Sequence, residues 1–565
     1  MTKLKHVAGI CGSGKTEAVI NKIGTDLLNP LNQRRIVIWA SVTNNLTEGT
    51  ATRFKVKFPS IRQRIIDSNQ DDVNSVSAEL IEVLNADNGS IYNATHQSQI
   101  IFTSHKALAL IPTHLVSKCI LIIDELPTLI AEYQRVPLVN STDTLAKVQP
   151  YLSYKPSEHA GYQCVHLVPE GQQDAVSRAE NLLNEDAQMY FKPAQMLKYL
   201  ANGGEMVYHS TKNKSEYTWH NYEYFTGLSI INNIRSAAET WLLSASLEGL
   251  FTEKLLAIHN IQIECVTELN GYLLPVKHPN TQRVTIIPFI KNNPEHKGGS
   301  FSGSFADEHM KNVVENNCSN KRVHEEFAIW VSNTFAGSEY IYAANKTREK
   351  PIALNHGKAV KVQVMAHGQN DYSQITKAAF LANLRPSPDE SNAIKRLAID
   401  NNLDPKELEK SYITQQCHEA CYQFSCRIAF RNLSRNNGVI ASEQEQKPCI
   451  IIVPDMAHAL YLQSKMDGAT IDTSMSFTRK KVTVSADELT KRQVQKEANK
   501  AIKNAAKQAE RFKILTTIEL LNADGMSLKE ACSINQIDPK TRRNWIKMYQ
   551  QDWDDYQQYN LISCQ

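Results

Sequence analysis

Short apolar runs recur through the first 470 residues, each ending in a polar or glycine-bearing turn, and several are followed by helical spacing. LKHVA (4–8) leads into GICGSGKT (9–16) and then TEAVINKI from Thr16, while RIVIWASVTNNL (35–46) reads as strand, turn and helix. Further strands are expected within IIFTSHKAL (100–108), CILIIDELP (119–127), WLLSASL (241–247), EYIYAANK (339–346), VQVMAHGQND (362–371) and TKAAFLA (376–382). In CILIIDELP every position from Cys119 to Ile123 is apolar, as a parallel strand buried on both faces requires, and Asp124 emerges at its carboxyl end. Strands alternating with helices predict an α/β chain built on parallel sheets.

Beyond Phe477 the pattern changes. Arg492, Lys496, Lys500, Lys503, Lys507 and Arg511 recur every three or four residues and line one helix face, with Val494, Ala498, Ala501, Ala505, Ala509 and Phe512 as an apolar stripe. FKILTTIELLNADG (512–525) reads as an amphipathic helix stopped by glycine. SLKEACSIN (527–535) opens with a serine cap and a glutamate three residues on, and PKTRRNWIKMY (539–549) starts a last helix with proline in its first turn. Apolar Ala531, Ile534, Ile537, Trp545 and Ile546 are the expected core of this all-α end.

Charge sharpens that division. From Arg479 to Lys513 there are eleven Lys and Arg against four Asp and Glu, a surplus of seven in a chain of net charge +3, so the remainder carries −4. A local basic segment points to a local anionic partner, either as a phosphate-tracking stripe or as a solvated connector. The other bulk properties are ordinary: 565 residues, 42% hydrophobic, 21% charged and mean hydropathy −0.39, enough for three or four domains. No run of about 18 apolar residues is present and the phosphate-loop pattern begins at residue 9, so no membrane partner and a cytoplasmic location are expected. The Cys417, His418, Cys421 and Cys426 cluster does not match a standard zinc spacing.

The candidate chemistry lies in GICGSGKT, which fits G-x4-G-K-[ST] between a strand and a helix. Gly9, Gly12, Ser13 and Gly14 would turn backbone N–H groups toward phosphate oxygens at a helix N-terminus; Lys15 would reach the outer phosphates and Thr16 would hold Mg²⁺. Asp124 would orient the same ion and Glu125 the attacking water.

The tandem acids of IIDELP resemble the Asp-Glu-x-x box of superfamily 2 helicases and translocases, whose two RecA-like domains clamp one ATP and one nucleic-acid strand. Other stretches are similar to that family's motifs, in order. Thr103 and Ser104 stand where it contacts a strand's phosphates, Ser244 to Ser246 resembles its Ser-Ala-Thr, and Gly368 with Asn370 falls at its second strand-binding loop. YQFSCRIAFR (422–431) is similar to its last motif: Gln423 at the nucleotide, and Arg427 or Arg431, on one helix face, as the arginine finger. Arg431 follows Arg427 by four residues where the family has three. The upstream glutamine of DEAD-box RNA helicases has no counterpart before residue 9, which argues against that branch.

The resemblance implies two tandem RecA-like parallel-sheet P-loop domains, 1–270 and 271–470, with ATP and Mg²⁺ as cofactors. Asp124 and Ser244 lie 120 residues apart, so 135–235 is expected to be an insertion in the first domain. Within it, HSTKNKSEYTWHNYEYF (209–225) reads as a hairpin whose Tyr217, Trp219 and Tyr222 either stack on bases or pack the insertion's own core. Pro, Asn and Gly near 268–304 suit an interdomain hinge. A basic helical linker, 471–511, would lead to 512–565, which resembles the helix-turn-helix of transposase- and resolvase-type DNA-binding domains, with Lys540, Thr541, Arg543 and Asn544 exposed on its recognition helix. The implied activity is an ATP-dependent DNA helicase or translocase, with single-stranded DNA in the motor cleft and duplex at the C-terminal domain, as in replication of a phage or mobile element. A packaging or transposition ATPase and a nucleotide-gated DNA-binding regulator are the alternatives.

Overall fold

The computed structural model describes residues 3–29, 35–68, 76–89, 99–126, 132–139, 143–159, 161–169, 171–212, 218–225, 227–274, 277–278, 281–291, 301–345, 358–364, 372–431, 447–480, 494, 497, 508, 511–535 and 537–548. The chain divides into two compact units, Met1–Lys480 and Lys481–Gln565. The larger unit is mixed α/β and contains two parallel sheets.

The first sheet has seven parallel strands, in the order Gln262–Val266, Lys3–Ala8, Glu239–Ser244, Cys119–Asp124, Ile36–Ser41, Gln99–Ser104 and Arg62–Ile65. Its central strands Ile36–Ser41 and Cys119–Asp124 are buried throughout because helices cover both faces. Alternate side chains serve opposite cores. Ile36 and Ile38 pack with Leu80, Ile230 and Phe251 on one face; Val37 and Trp39 pack with Val19, Ile23 and Phe54 on the other. Polar residues collect at the carboxyl ends, where Ser41 is in register with both Ser104 and Asp124.

An antiparallel five-stranded sheet interrupts this domain, in the order Tyr133–Val139, Thr218–Phe225, Met206–Lys212, Gln163–Leu167 and Leu152–Pro156. With the Gly171–Glu185 and Ala187–Ala201 helices it closes its own core around Val136, Leu197 and Tyr222. The inserted sheet ends at Phe225, ten residues before the expected 235, because Ile230, Ile231 and Ile234 of the following helix, Gly227–Ser236, pack into the first sheet's core. The expected hairpin pairs Trp219 with Thr211. Tyr222 is fully buried with its hydroxyl 2.9 Å from that of Tyr154, so it serves the core; Tyr217 lies outside the described residues.

The second sheet is also parallel throughout, in the order Ala359–Lys361, Tyr340–Ala343, Lys377–Phe380, Cys449–Asp455, Val284–Lys291 and Thr470–Ile471, with Phe477–Thr478 also on Val284–Lys291. That last pairing carries the sheet past the expected boundary at 470. In the expected hinge, Glu268–Leu269 and Tyr272–Leu273 form a small hairpin, and 292–300 lies outside the described residues.

Two helices of the second half, Pro388–Asp400 and Pro405–Ile413, leave their own sheet and pack Ile394, Leu408 and Tyr412 into the first sheet's core, where Tyr412 meets Phe251 edge-on at 5.1 Å. Arg396 pairs with Glu223, Arg135 with Asp389, and His159 with Asp400 at 2.6 Å, joining the same helices to the insertion.

In the smaller unit, a helix over 511–523 is followed by Leu528–Ile534 and Pro539–Met548. Ser527 and Glu530 cap the middle helix reciprocally, as the sequence suggested. Phe512 and Leu515 pack on Trp545 and Ile546, while Ile518 packs on Ala531 and Cys532. Ile534, expected in this core, is 60% exposed. Most of the expected basic linker lies outside the described residues.

Replacing buried Tyr222 by alanine removes an aromatic ring from a closed core and is expected to cost about 3–5 kcal/mol in urea unfolding followed by insertion-domain fluorescence. A variant with unchanged unfolding but weakened single-strand binding would assign Tyr222 to base stacking instead.

Candidate active site

GICGSGKT links the Lys3–Ala8 strand to the Lys15–Leu28 helix. Gly12 and Gly14 have φ of 83° and 89°, which glycine adopts without steric cost. Gly9 is required for a different reason: a Cβ there would lie 2.7 Å from the Ser13 hydroxyl. The loop therefore closes tightly, with Ser13 buried and Tyr272 donating to the Ser13 carbonyl at 3.2 Å. Lys15 is buried and curls back, donating to the Gly9 and Ile10 carbonyls at 2.8 and 3.0 Å.

At the end of the neighbouring strands the Asp124 carboxylate is buried to 2% exposure. Thr16 donates to it at 3.2 Å and the Trp39 indole at 3.4 Å. These contacts do not offset its surroundings: burial, and then the charge of Glu125, push its pKa up to about 7. Glu125 has φ of 70°, in the left-handed region where a glutamate is strained, and is held there by its N–H on the Leu243 carbonyl at 2.8 Å. Its Oε2 is buried without a hydrogen-bond partner. On the Lys3–Ala8 strand, burial lowers His6 to about 4. The neutral ring lies 2.9 Å from the Ser244 hydroxyl, which itself donates to the Ser246 carbonyl at 2.9 Å.

The second sheet contributes directly to this end of the first. Gln423 is buried and accepts from the Cys11 thiol at 3.1 Å across 412 residues of chain, and its amide donates to Glu419 at 3.0 Å. The other Glu419 oxygen accepts from Tyr461 at 2.6 Å. The Tyr422 hydroxyl lies 2.8 Å from His278 Nε2. Arg427 is buried, and its charge is felt at Cys11 together with those of Lys15 and Glu125.

Gln423, Arg427 and Arg431 do not share one helix. The Ala420–Ser425 helix ends before Arg427, because Ala429 donates its N–H to Ile375 at 2.8 Å and turns the chain toward the sheet. Arg431 falls in a separate 3-10 turn, Ala429–Arg431, and its side chain lies outside the described residues.

Of the residues expected at a nucleic-acid strand, Thr103 is fully buried and donates to the Ile66 carbonyl at 2.8 Å, so it does not face solvent. Ser104 is half-buried and caps the His105–Leu108 turn. Gly368 and Asn370 lie outside the described residues. Lys540, Arg543 and Asn544 are exposed on Pro539–Met548, whereas the Thr541 hydroxyl is taken by Asp538 at 2.6 Å.

Sequence reading missed Trp39, Cys11, Glu419 and Tyr461. For Trp39 a signal existed: strand register puts it one residue before Ser41's neighbour, on the loop side of IVIWAS. The other three are visible only once the two sheets meet.

No family model and no curated protein sequence matches the chain. Among solved structures it is similar to S. cerevisiae Dbp5 bound to RNA and ADP BeF3, at 10% identity over 84% of this chain and 85% of that one, with a TM-score of 0.34. Mss116p bound to ssRNA and AMP-PNP matches at 8% identity, 84% and 71% coverage and TM-score 0.30. RecG bound to a three-way DNA junction matches at 9% identity, 83% and 42% coverage and TM-score 0.28.

Proposed function

We propose that the chain is an ATP-dependent DNA helicase or translocase of superfamily 2, in which hydrolysis between two RecA-like domains drives movement on one strand. The observation that carries this reading is the contact between the loop at Cys11 and the Gln423–Arg427 segment of the second sheet. Two parallel sheets sharing one phosphate loop can convert the state of that loop into relative movement.

The residues present fit a magnesium nucleotide. Thr16 and Asp124 offer hard oxygen donors 3.2 Å apart, and Mg²⁺ needs only one or two carboxylates besides water and phosphate. The Asp124 carboxyl, pushed up to about 7, is poised to exchange its proton for a cation. When bound, the ion neutralises charge on the outer phosphates. Gly12, Ser13 and Gly14 turn the loop's N–H groups toward phosphate oxygens, and Lys15 exchanges two carbonyl partners for them. Glu125, with one oxygen unpartnered, orients the attacking water and takes its proton. Arg427 stabilises charge developing on the γ-phosphate, and Arg431 is the alternative finger. Ser104, Gly368 and Asn370 would contact the strand in the cleft. The three helices beyond residue 511 would bind duplex as a helix-turn-helix, through Lys540, Arg543 and Asn544. That combination suits replication of a phage or mobile element.

A second reading has its own support. Ties from the helices between residues 388 and 413 to the first sheet and the insertion restrain opening, as a nucleotide-gated regulator that does not translocate would require.

ATP turnover measured in parallel with single-stranded DNA, duplex DNA and RNA separates them. The motor reading expects stimulation by single-stranded DNA, strand displacement, and a loss of about 100-fold or more in Lys15→Ala. Hydrolysis that no nucleic acid stimulates, with no displaced strand, sinks it.

Asp124 gives a test by stability. Its carboxyl holds a proton to about pH 7 in the folded chain but only to about 3.8 when unfolded, so its contribution is fully present below pH 3.8 and is lost as pH rises to 7. Asp124→Asn, assayed without nucleotide, should therefore be more stable than the parent by about 2–4 kcal/mol at pH 8, with the gap closing toward pH 4, and should lose turnover. Thermal unfolding at both pH values reads it.

For the C-terminal helices, Arg543→Ala should weaken duplex binding by about 1–3 kcal/mol in fluorescence anisotropy and leave basal ATP turnover unchanged.

A further inference from the structure

Between the last strand of the first sheet, Gln262–Val266, and the first of the second, Val284–Lys291, the chain sets beside the phosphate loop an aromatic ring for which hydrolysis has no use. Asn270 and Gly271 have φ of 51° and 76°, the two left-handed residues of a tight hairpin turn, and join Glu268–Leu269 to Tyr272–Leu273. The hairpin is fastened at its base. Leu269 and Leu274 are buried in the core that also holds Val19, Ile20 and Ile23 of the Lys15–Leu28 helix, and the Leu274 N–H donates to the Thr267 carbonyl at 2.8 Å. A two-residue turn on such an anchor fixes the first residue beyond it, which is Tyr272.

Tyr272 stands opposite Leu269 in the hairpin register, so the two side chains share one face. Leu269 enters the core, whereas Tyr272 is not part of it and remains 49% exposed. Its hydroxyl donates to the Ser13 carbonyl at 3.2 Å and lies 3.8 Å from where a Cβ on Gly14, the N-cap of the helix, would stand. The ring is therefore tethered to the loop by its tip, with half of its surface in water beside the helix start. Covering that surface with a flat apolar partner is favourable both by burial and by ring stacking. A nucleotide whose phosphates lie on the loop carries such a partner outward from the same helix start: its base.

We propose that Tyr272 is the platform on which the base of the bound nucleotide stacks, and that the site takes purine nucleoside triphosphates by the face of the base, with little choice between adenine and guanine. The inference rests on the nucleotide-binding reading of GICGSGKT. Stacking responds to the area of a ring system and every base has a π-face, so the two purines fare alike and the smaller pyrimidines gain less. The hydroxyl keeps the edge of the ring at Ser13 while its face meets the base. One side chain then ties the base, the phosphate loop and the chain that joins the two sheets.

Isothermal titration of the full chain in magnesium buffer compares ATP, GTP, CTP and inorganic tripolyphosphate, which offers the phosphates without a base. ATP and GTP should bind within about threefold of each other, and both more tightly than CTP. Tyr272→Ala should weaken ATP and GTP about tenfold, as loss of one stacked base predicts, and leave tripolyphosphate within about twofold of the parent. Tyr272→Phe, which keeps the ring and loses the Ser13 contact, should hold ATP as the parent does, and circular dichroism checks that both variants fold. Equal losses of ATP and tripolyphosphate in Tyr272→Ala, an unchanged ATP affinity there, or a parent that prefers ATP to GTP by more than about thirtyfold overturns the proposal. Binding is read without turnover. A chain that holds ATP through Tyr272 yet displaces no strand therefore sinks the motor reading and leaves this one standing, whereas turnover stimulated by single-stranded DNA with unchanged ATP affinity in Tyr272→Ala does the reverse.

Discussion

The buried carboxylate of Asp124 is the constraint around which the first domain is organised. A strand that is apolar from Cys119 to Ile123 ends on a charge, sheltered from water, with two long hydrogen bonds and an acidic neighbour. Left ionised, it costs stability, and no lysine or arginine ion pair is described for it. In the proposed reading the same position, at the carboxyl edge of a parallel sheet and beside a helix N-terminus, is where a bound cation would be shared with phosphates, and that cation would offset the cost. The strained backbone of Glu125 belongs to the same logic. Its φ of 70° is held by one hydrogen bond to the adjacent strand, and its Oε2 is buried without a hydrogen-bond partner.

The junction between the sheets is built from two unlike contacts. At the loop it is polar and compact: Cys11, Gln423, Glu419 and Tyr461 form one connected chain of hydrogen bonds. Farther out it is apolar and ionic, with Tyr412 set into the first core and Arg396 and Asp389 paired to the insertion. Between these contacts the backbone runs as a π-helix, Thr414–Glu419, a geometry that is rare and favours functional positions. Glu419 ends that segment and holds Gln423, so a change in its winding would be felt at the loop.

Local geometry was legible in the sequence, and long-range contacts were not. The strand–loop–helix turn with its glycines, the place of Lys15 and Thr16 at the helix start and the acid at the end of CILIID follow from spacing alone, because each is fixed by a neighbour in the same strand or turn. The Ser527–Glu530 cap followed for the same reason. The helical reading of 422–431 failed where a tertiary hydrogen bond, from Ala429 to Ile375, outweighed helical continuation. Thr103 misled because a hydroxyl at a strand end can face either way, and here a carbonyl of the next strand's turn claims it. The insertion's limit was read ten residues late because the spacing of Ile230, Ile231 and Ile234 does not say which of two cores it serves.

These contacts bear on how phosphate and the second sheet would influence each other. In the proposed reading an arriving phosphate would compete for the Lys15 ammonium, which is spent on the Gly9 and Ile10 carbonyls. Ile10 adjoins Cys11, whose thiol donates to Gln423 at 3.1 Å, so the loop carbonyls that Lys15 would release lie beside the point that the second half of the chain holds. Differential affinity of this kind, in which one loop serves either the ligand or the neighbouring sheet, is what would let a ligand shift a conformational equilibrium.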